Sequence, residues 1–137
     1  MMIKKDNKYD TKIIASTCLL LSIATSDEKL DNCELSIIQD IIVDFFSLDK
    51  RNMNNIIDIS LLALKESTDL YEFSTKLNES FCYQDKVDFI CCAFEVAFSD
   101  GELHYLEEFF IKKIANILNV QHDDLIKSKQ EIKSYLK

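Results

Sequence analysis

Proline is absent from this 137-residue chain and glycine occurs once, at Gly101. Those two residues supply most tight turns and strand ends, so a chain without them has few ways to fold except as helices joined by short polar connections. Nothing alternates at period two for long enough to make a strand, and apolar residues recur instead at spacings of three and four. At this length one domain with a real core is expected, and the 47% hydrophobic content is ordinary for one.

The spacing predicts an all-α chain, a single compact bundle of about seven helices. A first helix fits 9–26, with Ile13, Ile14, Cys18, Leu21 and Ala24 inward. A second fits 32–47 behind an Asp31 cap, and a third fits 50–66 behind an Asp49 cap. Thr68 opens a fourth over 69–80; the fifth, sixth and seventh fit 83–99, 105–118 and 122–136. The fifth reads apolar on most faces and is expected at the centre. Residues 1–8 look frayed, and 9–137 form the domain. Tyr71 and Phe81 read equally as interface or core.

One phrase occurs twice. Ser26-Asp27-Glu28-Lys29-Leu30-Asp31-Asn32-Cys33-Glu34 returns as Ser99-Asp100-Gly101-Glu102-Leu103-His104-Tyr105-Leu106-Glu107, an offset of 99 − 26 = 73 residues. Cys18/Cys91, Ala24/Ala97, Ile38/Ile111 and Ile41/Ile114 keep the same offset. The chain therefore reads as an internal duplication of a helix–acidic turn–helix unit, with halves of about 10–66 and 83–137.

The repeated turn has two readings, which do not exclude each other. In the structural one, Asp31-x-x-Glu34 has the form of a capping box, Glu107 keeps that place in the second copy, and His104 stands where the cap would be. Gly101 follows a helix end, where a left-handed residue is common. Leu30 and Leu103 would anchor the two turns between helices. In the functional reading, Asp27, Glu28, Asp31 and Glu34 crowd one turn, and Asp100, Glu102, Glu107 and Glu108 the other. Such carboxylates, beside carbonyls freed at a helix end, suit a hard divalent cation such as Ca²⁺ or Mg²⁺. The spacing is not that of an EF-hand, because Gly101 follows Asp100 at once and Glu107 comes only seven residues after it. Any site would be open and weak.

Several classes are disfavoured. A net charge of −8 repels phosphate backbones, so nucleic acid is not an expected partner. Cys18, Cys33, Cys82, Cys91 and Cys92 show no zinc-ligand spacing and read as reduced, buried thiols of a cytoplasmic protein. Lys4, Lys5, Lys8 and Lys12 before the apolar run Ile13 to Ala24 look superficially like a signal peptide. Asp6 and Asp10 interrupt that basic region, and the run is shorter than the about 20 residues a membrane span needs. It ends, moreover, in the same Ser-Asp turn as Val96 to Asp100. No Gly-rich phosphate loop, HExxH or nucleophile–histidine context is present, so no enzyme is expected. His104 and His122 fall at helix starts.

Ala97-Phe98-Ser99-Asp100-Gly101-Glu102-Leu103, closed by Glu107, resembles the tellurite-resistance TerB family. The hallmark of that family is an alanine-rich helix ending in Ala-x-x-Asp-Gly-x-Leu-x-x-x-Glu. Ile114-Ala115-Asn116-Ile117-Leu118-Asn119-Val120 is similar to the family's helix and following turn, and Ala24 through Glu34 to its N-terminal copy. The resemblance covers roughly 10–136. It implies about seven helices, a cytoplasmic or inner-membrane-face location, and a role in chemical-stress and phage-defence systems. A related domain is fused to a membrane-anchored J-domain co-chaperone, which implies a protein partner. Carried over by residue, Asp27, Glu34, Asp100 and Glu107 are the motif acids that would hold a divalent metal. Glu28 in place of the first-copy glycine, and His104 in place of a small cap, depart from the family pattern.

Overall fold

Each of the seven stretches with helical spacing is a helix in the computed structural model, which describes residues 10–26, 32–67, 69–99 and 101–135. Among these residues the elements are α1 (Thr11–Ala24), α2 (Asn32–Phe46), α3 (Met53–Glu66), α4 (Tyr71–Ser80), α5 (Tyr83–Ala97), α6 (Tyr105–Ile117) and α7 (His122–Ser134). A single 3-10 turn, Lys50–Asn52, precedes α3, and no strand is present among the described residues. The expectation of a frayed 1–8 lies outside the described residues.

The local chemistry at the helix ends explains the boundaries. Asp10 caps α1, its carboxylate accepting from the Lys12 amide at 3.1 Å. Asp49 caps the 3-10 turn rather than α3, accepting from the Arg51 amide at 2.9 Å, so α3 itself starts three residues later than the spacing implies. Thr68 and Asp31 lie outside the described residues. At the start of α4 the Asp69 carboxylate accepts from the Tyr71 amide at 2.8 Å. Helices α2 and α6 both stop without glycine. Ser47 (φ 55°) and Asn119 (φ 63°) take the left-handed conformation. The next amides, Leu48 and Val120, reach back to Val43 O at 3.0 Å and Ala115 O at 2.9 Å. These are Schellman closures, with asparagine and serine accepting the strain that glycine would avoid.

The centre of the bundle is α1, not α5. Eleven of the fourteen residues of α1 are buried, and it packs against α2, α3, α4, α5 and α6. The reason is visible in its side chains: past Lys12 it carries no charge, and two of its hydroxyls, Thr17 and Ser22, bond its own backbone. Thr17 Oγ1, for example, donates to Ile13 O at 2.8 Å, which removes the cost of burying a polar group. Helix α5 carries Asp85, Lys86, Asp88 and Glu95, so one side of it must face water while the other packs on α1, α2, α6 and α7. Phe45 of α2, Phe81 just past the end of α4, and Phe89 of α5 stack within 5.5 to 6.3 Å of one another at the α2–α5 seam. Phe81 is therefore core, whereas Tyr71 is exposed.

The repeat offset also relates the elements. Adding 73 to the bounds of α1 gives 84–97, against Tyr83–Ala97 for α5; adding it to α2 gives 105–119, against Tyr105–Ile117 for α6.

Candidate functional site

Each acidic turn leads into a helix whose third residue is a buried glutamate. Glu34 holds that position in α2 and is 7% exposed; Glu107 holds it in α6 and is 1% exposed. A carboxylate is rarely buried so deeply. The third position of a helix is one place it can be, because the first-turn amides point outward with nothing inside the helix to bond and the helix dipole favours negative charge there. The remaining motif acids, Asp27 and Asp100, lie outside the described residues, as do Glu28 and Asp31.

The second turn is a sharp corner. Gly101 has φ +91° and its amide donates to Phe98 O at 2.8 Å, closing the end of α5. Leu103 is half-buried against the core, as an anchoring residue should be, and Leu30 lies outside the described residues. His104 is the N-cap of α6 with extended backbone (φ −79°, ψ 144°) and makes no side-chain cap hydrogen bond.

The four acids expected to crowd this corner do not act alike. Glu102 is exposed and Glu107 is buried. Glu108 is tied to α7, accepting from Lys129 Nζ at 2.6 Å, with Lys112 at 3.8 Å. The Lys129 hydrogen bond, reinforced by the charges of both lysines, holds the Glu108 carboxyl below the ordinary carboxylate range. Beside the corner opens a cleft of about 560 Å³ between Phe98, Leu103, Glu108, Lys129 and Lys133. Its charge is mixed rather than acidic.

The carbonyls expected to help a cation are also partly used. At the end of α1, Leu21 O accepts from the Thr25 amide and hydroxyl, both at 2.9 Å. Ile23 O accepts from the Ser26 amide at 3.2 Å and hydroxyl at 2.8 Å. In the second copy Phe98 replaces Thr25 and offers no hydroxyl, so Phe94 O receives the Phe98 amide at 2.8 Å. Among the described residues no group of three or more His, Cys, Asp or Glu is arranged to hold a metal.

A different acidic hollow escaped the sequence reading. Asp40 and Asp44 of α2 face Cys92 and Glu95 of α5 across a concavity of about 250 Å³ floored by Ile41 and Phe45. Burial, with Asp44 nearby, pushes the Glu95 carboxyl up. The i, i+4 spacing of Asp40 and Asp44 and the i, i+3 spacing of Cys92 and Glu95 were legible. That these two helix faces meet was not.

The cysteines are free thiols but not uniformly buried. Cys18 is buried, Cys91 and Cys92 are half-buried, and Cys33 and Cys82 are exposed because they sit at the outward starts of α2 and α5. Burial pushes the Cys18 and Cys92 thiols up to about 12. Cys91 is raised too, by burial first, against a bond from Ser128. These three are held as thiols at neutral pH, which is the unreactive form.

No helix among the described residues is long and apolar enough to cross a membrane. No match was found among curated proteins or among solved structures. A family model described as Tellurite resistance protein TerB matches residues 13–130. That span runs from the first turn of α1 into α7 and takes in both acidic corners, and the chain belongs to the tellurite resistance TerB family.

Proposed function

We propose that this TerB-family module works without catalysis in a bacterial stress-response system of the tellurite-resistance type. It acts in the cytoplasm, binds a protein partner, and takes a divalent cation such as Ca²⁺ or Mg²⁺ at its acidic corners. Asp100 and Glu107 are the ligands at the second corner, Asp27 and Glu34 at the first. The observation that carries the cation reading is the burial of Glu34 and Glu107 at the same place in each unit. Both carboxylates are engaged within the fold, and a cation at the same corner would add counter-charge to them. The first corner is the weaker of the two, since Glu28 stands where the second has Gly101.

Thermal unfolding of the whole chain, first in chelator and then with Ca²⁺, Mg²⁺, Mn²⁺ and Zn²⁺ in turn, tests this. A cation held at about 100 times its Kd adds about 2.7 kcal/mol if it binds only the folded state. The increment should vanish in Asp100→Asn combined with Glu107→Gln. No increment with any ion would remove the cation from the proposal.

A specific observation favours a second reading, in which the corners are only structural. Gly101 is left-handed, and a buried glutamate at the third helical position is also what a reciprocal cap requires. On that reading chelator changes nothing, and the module is a scaffold for protein contacts alone.

A further inference from the structure

The outer side of α6 is apolar where a solvated helix should be polar. Tyr105 is 79% exposed, Phe109 is 56% exposed and Leu106 is 38% exposed. Tyr105 and Phe109 are four residues apart, as are Leu106 and Phe110, so the four side chains form two adjacent stripes along one helix side. Phe110 is half-buried, and its ring meets that of Phe109 edge-on with centroids 5.7 Å apart. It also lines a groove of about 240 Å³ with Ser22, Leu64, Ser67, Asp69 and Leu70, where α6 meets the ends of α1 and α3 and the start of α4. The exposed stripe and the groove are therefore one surface. One turn further along, Lys112 and Lys113 stand exposed on the same side.

We infer that this face of α6, with the groove beside Phe110, is the docking site for an amphipathic helix of a partner protein that carries carboxylates at one end of its apolar stripe. The shape suits a helix, which places anchors at i, i+3, i+4 and i+7 into just such a run of apolar side chains and groove. Charge decides what stands beside those anchors. Lys112 and Lys113 are a local positive end on a chain of net charge −8. A second copy of this chain, or an anionic bilayer, would meet many of the chain's carboxylates and be repelled. A single helix meets Lys112, which shares Glu108 with Lys129, and Lys113 at one end, and the one carboxylate of Asp69 in the groove, so its own carboxylates belong at the lysine end. This deepens the partner-binding half of the proposed function and is independent of the cation half.

Fluorescence anisotropy with the full chain, in chelator, tests the inference. The probes are two labelled helical peptides of about 18 residues with the same leucine stripe, one ending in glutamates and one in lysines. The glutamate peptide should bind at least about tenfold more tightly than the lysine peptide. Phe109→Ser should weaken it at least about tenfold, as loss of a central aromatic anchor does. Lys112→Glu with Lys113→Glu should reverse the preference. Phe109 and Tyr105 are exposed, so their variants should keep the native unfolding midpoint, and Tyr105→Ser serves as the second variant.

No binding, equal binding of both peptides, or binding that survives both aromatic variants would overturn the inference. So would Phe109-dependent binding to phosphatidylglycerol vesicles without peptide binding, which would make the face a lipid contact. A Phe109-dependent dimer in sedimentation would overturn it in favour of a second copy. Because the titrations exclude cations, failure of the cation reading leaves the expected peptide binding unchanged, and failure of peptide binding leaves the cation reading intact.

Discussion

Gly101→Ala separates backbone strain from every other effect a substitution can have at the second corner. A Cβ built on Gly101 meets nothing within 4 Å, so the added methyl creates no clash. What remains is φ, at +91°, where an L-residue pays about 1–2 kcal/mol. Alanine also narrows the unfolded ensemble, which returns about 0.4–1 kcal/mol. The net expectation is a loss of about 1 kcal/mol, with a Tm about 3–5 °C lower for a chain of this size. Gly101→Val should cost more, about 2 kcal/mol, because a β-branched residue is a true outlier at positive φ. Gly101→Asn should cost least, since asparagine tolerates that region best among the side chains. Urea unfolding followed by circular dichroism reads these directly, with the midpoint moving and the slope unchanged. The order Asn, Ala, Val should be the same with and without chelator. An alanine variant as stable as the native chain would refute the argument, because it would mean that the left-handed corner is not held in solution.

Four further outcomes follow from the packing. Leu20 on α1 is fully buried, so Leu20→Ala should cost about 2–5 kcal/mol in urea, whereas Leu106→Ala on the open side of α6 should stay within about 0.5 kcal/mol; comparable losses would contradict the placing of α1 at the centre. Alkylation of the native chain followed by peptide mapping should label Cys33 and Cys82 first, Cys91 and Cys92 slowly, and Cys18 only after unfolding; early labelling of Cys18 would show that the seam between α1 and α3 opens. Glu108 has a folded-state pKa lowered from 4.5, chiefly by its bond from Lys129, so its stabilisation is fully present above pH 4.5 and is lost as pH falls through the lowered value. Lys129→Ala should remove about 0.5–1 kcal/mol at pH 7 and nothing at the acid end; an equal loss at both would mean the lysine acts through packing. Glu95 is shifted the other way, by burial and then Asp44, so protonation favours the fold, and Glu95→Gln should add a few tenths of a kcal/mol at neutral pH after solvent screening.

The acidic corners show how much of a local arrangement a repeat makes legible and where that stops. The repeat singled out Glu34 and Glu107, and both proved to be buried at the third position of a helix, though their burial was not foreseen. Glu108 looked equally available for a cation, but Lys129, 21 residues away, occupies it. Nothing local to Glu108 announces that partner. The thiols went the same way: their number was plain, but Cys33 and Cys82 are open, Cys91 and Cys92 half-buried, and only Cys18 is fully buried.

The sequence by itself determined that the described residues fold as helices and, to within three residues, where each helix runs. Helical spacing, capping residues and the scarcity of glycine and proline act over a few residues, and α5 and α6 begin where the spacing put them. It also determined the corner at Gly101, because a positive φ there is a local demand. Only the tertiary structure decided that α1 rather than α5 is the spine, which ion pair claims Glu108, and which apolar side of α6 stays uncovered. Those outcomes depend on which helix faces meet, and that is settled by burying the whole set of apolar stripes at once around one helix that is uncharged past Lys12.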